Sequence, residues 1–303
     1  MARIDLAAPG IALVFLACAC GPQENGPPLG GDEVDREVHE TEGEAQRGTR
    51  LTDDAGRTHR FEEAPDRILS LVPAATEVIL ALDGRKRLVG RTDFDTLAAV
   101  RSLPSVGGGL EPNLEVLLEL DPELVIRYAA ESDPGTPRQL DRVGVPHFAV
   151  QPESVQDIRR MVERLGAILG RTEAAARELE ELDRRLAEVE AAVADRPRPR
   201  VAYLISGRPL WAASEGTFVD ELLEVAGGTN VFRDLPAPYA EVSLEALLDR
   251  EVDRILLVEG ETAPPGVPSN EVTTVPGYTR SPSLALPEAA RTLAERLHPE
   301  AFP

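Results

Sequence analysis

Apolar and polar residues alternate loosely from Leu51 to Phe61 around Asp54-Ala55-Gly56, which predicts a short hairpin. Arg67-Ile68-Leu69-Ser70-Leu71-Val72 then forms a nearly unbroken apolar run, as in a strand buried on both faces, and Pro73 stops it. Thr76-Glu77 opens an apolar helix that runs through Leu82 and closes at Asp83-Gly84. Leu88-Val89-Gly90 reads as the next strand, with a loop at Arg91-Thr92-Asp93-Phe94. Further on, helices are expected over Asn113 to Leu120 and Pro137 to Val143, a strand over Leu124 to Ile126, and a turn and strand over Gly144 to Val150. Strands alternating with helices at this spacing indicate a parallel sheet with crossover helices.

Ser154, with Asp157 three residues on, caps a helix that extends to Leu169. Gly170 breaks it, and Thr172 is the expected cap of a longer one. That helix carries Leu179, Leu182, Leu186, Val189 and Val193 on one stripe and runs to about Ala194, before Arg196-Pro197-Arg198-Pro199. At 1.5 Å per residue it is roughly 33 Å long, the height of a lobe. A coiled-coil dimer is the alternative for such a stripe, but this one is short, and a monomer is expected.

The plan then repeats. A strand covers Arg200 to Ile205, a helix Phe218 to Val225 before Gly227-Gly228, a helix Leu244 to Leu248, and a strand Arg254 to Val258. The segment Pro112 to Ile126 aligns without a gap with Val242 to Leu256, including the cap, the Leu-Glu pair, the Leu-Leu pair and the strand. The expected fold is α/β: two Rossmann-like lobes with parallel central sheets, joined by one long backbone helix, with a ligand cleft between them.

Composition narrows the function. Hydrophobic residues make up 42% of the 303, enough for a real core. Asp and Glu number 53 against 32 Lys and Arg, a formal charge of -21, which argues against general nucleic-acid binding. Lys86 is the only lysine, and no Gly-Lys-Ser/Thr phosphate loop exists. Gly-x-Ser-x-Gly, His-Glu-x-x-His and Gly-x-Gly-x-x-Gly are also absent, so no enzyme is expected. The four histidines, His39, His59, His147 and His298, do not pair at ligand spacing, and no metal site is expected.

Ile11 to Ala19 is too short to span a bilayer and has the length of a signal-peptide core. Its end, Leu16-Ala17-Cys18-Ala19-Cys20-Gly21, resembles a bacterial lipoprotein processing site, with Cys20 as the lipidated residue and Cys18 as the alternative. Plain secretion and an uncleaved cytoplasmic start are the other readings. The expected organisation is a signal peptide over 1–19, a lipidated cysteine and acidic tether over 20–50, an N-terminal lobe over 51–170, the inter-lobe helix over 171–196 and a C-terminal lobe over 197–303.

From about Arg67 onward the chain resembles the helical-backbone class of periplasmic substrate-binding proteins of ABC importers, most of all its cobalamin-binding branch with haem and ferric-siderophore relatives. The resemblance rests on Arg67 to Glu77, Val89-Gly90-Arg91-Thr92-Asp93, Val106-Gly107-Gly108, Asn113-Leu114-Glu115, Asp121 to Val125, Leu223 to Phe232 and Val242-Ser243-Leu244-Glu245. It implies no catalysis and no cofactor, a corrinoid such as cobalamin as ligand, and delivery to an ABC permease homodimer with its ATPase subunits. Haem or a ferric siderophore is the alternative ligand. An extracytoplasmic, lipid-anchored location follows, and a structural or adhesion lipoprotein without small ligand is the alternative of another class.

Carried over residue by residue, the resemblance assigns ligand contacts to Asp93 (or Thr92) with Phe94 nearby, and to Gly109, Tyr128, Trp211 and Tyr239. Gly109 departs from the family, which has an aromatic ring there. Aromatic residues are only 4% of the chain, so rings at strand ends stand out. Arg91, Arg127 and Arg208 could meet ligand carboxylates. Glu115 and Glu245, the pair the repeat aligns, fall on the family's permease-docking positions; ordinary first-turn glutamates are the bland alternative. The segment after Val258, with Pro264-Pro265-Gly266-Val267-Pro268, looks shorter than in the family.

Overall fold

The computed structural model describes residues 48–129, 135–207, 209–263, 265–267 and 272–302. The expected signal peptide, Cys18, Cys20, His39 and most of the tether lie outside the described residues, as does Arg208.

The hairpin pairs β1 (Thr49–Thr52) with β2 (Thr58–Phe61), starting two residues ahead of the expected Leu51. Lobe one follows with β3 (Ile68–Ser70), α1 (Pro73–Ala81), β4 (Leu88–Gly90), α2 (Leu114–Glu119), β5 (Leu124–Tyr128), α3 (Gly135–Val143) and β6 (His147–Val150). The helix opens on Pro73 rather than Thr76, because proline at the first helical position gives up an amide that has no partner there anyway. All four strands are parallel, in the order β4-β3-β5-β6. Alternate residues face opposite sides: Ile68, Leu124, Ile126 and Phe148 join one core, and Leu69, Val125, Leu117 and Leu140 another. Helices on both faces explain why these strands read as continuous apolar runs.

Two helices then leave lobe one. In α4 (Val155–Ile168), Ser154 and Asp157 form a reciprocal capping box, as the spacing predicts. The long helix is α5 (Thr172–Val193), but Thr172 is its first residue, and Arg171 before it makes no side-chain cap. Ala175 of α5 sits in the lobe-one core, whereas Leu182, Leu186, Val189 and Val193 sit in that of lobe two. One helix is thus shared between two cores. Leu284 also packs against both, and the Val155 amide donates to Glu221 Oε2 at 2.6 Å across the lobes.

Lobe two contains β7 (Arg200–Gly207), β8 (Leu210–Ala213), α6 (Phe218–Val225), β9 (Thr229–Asn230), β10 (Tyr239–Glu241), α7 (Leu244–Leu248), β11 (Arg254–Val258), β12 (Val272–Val275) and α8 (Leu286–Leu297). Its parallel centre, β7-β11-β12 with β9 on β7, is as expected. An antiparallel edge is added, with β8 paired to β7 and β10 to β8.

The repeat is structural. Arg67 Nε donates to the Asp121 carbonyl at 2.8 Å, and Arg200 Nε to the Glu251 carbonyl at 2.5 Å. Glu123 Oε2 accepts the Asp66 amide at 2.6 Å, and Asp253 Oδ2 the Arg200 amide at 2.8 Å. Asn113 caps α2 and Ser243 caps α7. The same clamps hold the ends of the same short helix in each lobe.

His147 is 3% exposed, and Arg127 Nε donates to its Nδ1 at 2.9 Å. Its Nε2 lies between Arg57 Nη1 at 2.8 Å and Asp141 Oδ1 at 3.2 Å. Burial, then the guanidinium charges of Arg127 and Arg57, push the ring below its ordinary value. The unfolded ring protonates near 6.5 and the folded one only at lower pH. This group's stabilisation is therefore complete above that value and falls away below it, by at most about 1.4 kcal/mol per pH unit. The parent's melting temperature should fall more steeply from pH 7 to 5 than that of His147→Gln; parallel profiles would show that the ring charges freely in place.

Candidate functional site

The site begins where the parallel strands of lobe one end. Tyr128 is the last residue of β5, and Gln151-Pro152-Glu153 follows β6 directly. Carboxyl ends of parallel strands are where open α/β sheets place their ligand crevices. Lobe two faces them with its antiparallel edge. Tyr239 pairs with Ala213, and Glu241 with Trp211. Directly paired residues share a face, so Tyr239 and Trp211 are diagonal neighbours on one side of the edge.

Together Tyr128, Trp211, Tyr239 and Phe218 wall a cavity of about 390 Å³ between the lobes. Its polar groups are few. Gln151 Nε2 donates to Glu153 Oε1 at 2.6 Å, which orients the amide, and Gln151 Oε1 is buried with no partner among the described residues. Arg280 donates to the Ile205 carbonyl at 3.1 Å and faces Glu261 at 3.3 Å. It is carried on the turn Gly277–Arg280, which the buried Tyr203 hydroxyl holds through Thr279 at 2.8 Å. Burial pushes the Tyr203 hydroxyl up to about 12. Burial also raises the hydroxyls of Tyr239, with Glu153 adding to the effect, and of Tyr128, with Asp95 adding. Both cavity tyrosines are therefore neutral at physiological pH, so their rings offer apolar contact with a hydroxyl donor.

Of the six expected ligand contacts, the structure brings Tyr128, Trp211 and Tyr239 onto one cavity. Asp93, Phe94 and Gly109 lie on lobe one outside its walls. Their loop is locked. The Thr92 amide and hydroxyl both donate to Asp95 Oδ2 at 2.7 Å, and Ser105 Oγ donates to Asp93 Oδ1 at 2.5 Å. Phe94 is 69% exposed on this fixed turn. Asp95, 6% exposed, acts on the Tyr128 hydroxyl, so the loop lies beside that ring. Gly109 has a local reason to be glycine. A Cβ there would stand 2.3 Å from the Leu71 carbonyl oxygen, so no ring fits on this backbone, and Tyr128 occupies the adjoining space at 3.6 Å.

The expected arginines do not all serve. Arg127 is 5% exposed and engaged by His147 and the Tyr128 carbonyl, so its charge is taken up inside lobe one. Arg91 donates to the Thr92 carbonyl at 2.8 Å. Arg280, Gln151 and Glu153 are the polar wall residues that sequence reasoning missed. Two polar residues flanking Pro152, between a strand end and a capped helix, could have marked the last two; nothing local marks Arg280.

A sequence family described as periplasmic binding protein matches residues 68–278. The chain belongs to that family. Its members are extracytoplasmic solute binders, and the two lobes, shared helix and interlobe cavity are what such a role requires. The chain is 30% identical over 206 residues to the vitamin B12-binding protein of Photorhabdus laumondii, covering 67% of this chain and 74% of that one. It superposes on the periplasmic vitamin B12-binding protein BtuF of Vibrio cholerae with a TM-score of 0.65 at 24% identity, covering 77% of this chain and 98% of that one. For the periplasmic heme-binding protein BhuT, in complex with two hemes, the TM-score is 0.68 at 25% identity, with 78% and 98% covered. These superpositions span both lobes and agree with the fold expected from the repeat.

Proposed function

We propose that this chain captures a corrinoid such as cobalamin in the interlobe cavity and delivers it to a membrane permease driven by ATPase subunits. The observation that carries this reading is the set of three rings, Tyr128 from lobe one and Trp211 and Tyr239 from lobe two, on one mostly apolar cavity. Rings from opposite sides suit a flat, large, partly apolar ligand, and they lose little entropy on binding it. The relative in Photorhabdus laumondii, named for vitamin B12 binding, supports the same ligand. Glu115 and Glu245, both exposed, are the proposed permease contacts. Anchoring through a lipidated Cys20, with the segment between it and β1 as tether, would keep the carrier near its permease.

Arg280 on the wall favours a second ligand class, the carboxylates of haem or a siderophore. Titration of residues 46–303, which form one compact unit, with cyanocobalamin, followed by Trp211 fluorescence and calorimetry, separates the two. Saturable quenching with matching heat, at micromolar or tighter affinity, is the expected result. No heat with cyanocobalamin, together with saturable binding of hemin or a ferric siderophore, would overturn the corrinoid reading.

A further inference from the structure

The two short helices α2 and α7 repeat more than a glutamate. From 113–120 and from 243–250 the order of exposed, half-buried and buried residues is the same at all eight positions. The Leu-Leu pairs are split alike. Leu117 and Leu247 are 0% and 1% exposed, whereas Leu118 and Leu248 are 42% and 57% exposed. Each outward leucine lies one turn after a glutamate, Glu115 or Glu245, and just before another exposed carboxylate, Glu119 or Asp249. None of these four carboxylates enters an ion pair among the described residues.

A single exposed leucine is ordinary. Two in the same register, each between two carboxylates and each on a helix clamped at both ends, form a surface pattern that core packing does not require. Leu117 and Leu247 already meet the needs of the two cores. The clamps described above, Arg67 with Asn113 and Arg200 with Ser243, fix the leucines in place before any partner arrives.

We infer that Leu118 and Leu248 are docking contacts, each the apolar centre of an acidic stud that seats in one of two equivalent, cation-rimmed apolar hollows on a two-fold symmetric protein partner. The inference rests on the delivery reading and names that partner as the permease dimer. Pseudo-equivalent studs match a partner that offers the same hollow twice. Carboxylates around each leucine steer and orient the encounter with arginine or lysine, while the leucine gives the contact a centre that water leaves. A bare anionic lipid surface does not fit, since it would repel four carboxylates.

The test uses the mature lipid-free chain and the permease–ATPase complex of the same organism in lipid nanodiscs, with empty nanodiscs of the same lipid alongside. Leu118→Ala with Leu248→Ala should weaken association with the complex at least tenfold, and each single change by about threefold. Leu118→Met with Leu248→Met should retain it, because an apolar side chain remains. Melting temperature and cyanocobalamin affinity should match the parent for all variants. If the alanine pair binds the complex like the parent while Glu115→Ala with Glu245→Ala does not, the leucine inference is overturned and delivery stands. If the parent itself shows no association with the complex yet binds cyanocobalamin, delivery falls and the leucine inference falls with it. Equal binding of the parent to empty nanodiscs, lost in the alanine pair, would assign the leucines to lipid and overturn the inference.

Discussion

Tyr128→Ala and Tyr239→Ala should each weaken corrinoid binding by about 1–3 kcal/mol, or roughly 5- to 150-fold, while the phenylalanine variants stay close to the parent. The two rings approach the cavity from different lobes, so a ligand between them loses one wall with either change. Burial holds both hydroxyls in the neutral form, so no charge on the ring competes with apolar contact. Both rings also pack against their lobe's core, Tyr128 against that of lobe one and Tyr239 against that of lobe two. Thermal unfolding must therefore accompany the titration, and the tyrosine-to-phenylalanine pair separates ring from hydroxyl. Folded alanine variants that bind cyanocobalamin like the parent would remove these rings from the site.

Glu115→Ala combined with Glu245→Ala should abolish transport and leave ligand affinity intact. Both residues are exposed first-turn positions and neither lines the cavity, so folding should lose no more than about 0.5 kcal/mol. A carboxylate desolvated against arginine in a docked complex is costlier to lose, at about 2–5 kcal/mol. Single variants should be intermediate, since the other lobe still anchors the carrier. Arginine should be worse than alanine at either position, because it sets like charges against a basic hollow. The readout is uptake or ATPase stimulation in vesicles beside cyanocobalamin affinity in solution. Undiminished transport by the double variant would return both glutamates to plain helix starts, and lost ligand affinity would place them in the cleft instead.

The parts of the fold that were legible in the sequence are those specified by neighbours in the chain. The unbroken apolar runs at Ile68 and Ile255 announce strands covered on both faces, and they are so covered. The Ser154–Asp157 spacing announces its capping box. At the helix starts the local reading is less secure. Pro73 reads as a stop but serves as a start, because proline ends a strand and opens a helix for the same reason, its missing amide. Strand β10 stayed hidden, since three residues with Pro236 and Pro238 just before them carry no periodicity.

Within the site, the family resemblance assigns Tyr128, Trp211 and Tyr239, and the scarcity of rings in this chain adds weight to them. The aligned repeat likewise marked α2 and α7 as equivalent before any coordinates. Only the tertiary structure decided which leucine of each pair turns outward, because a helix of five or six residues is too short for its own pattern to show which face is covered. It alone showed why residue 109 is glycine, since the obstructing Leu71 carbonyl is 38 positions away in sequence. It alone brought Gln151, Glu153 and Arg280 to one cavity, from segments more than a hundred residues apart. The sequence by itself determined two like lobes on a shared helix, because capping, periodicity and repetition act between near neighbours. The cavity belongs to the tertiary structure, because its walls meet only after both sheets have packed against that helix.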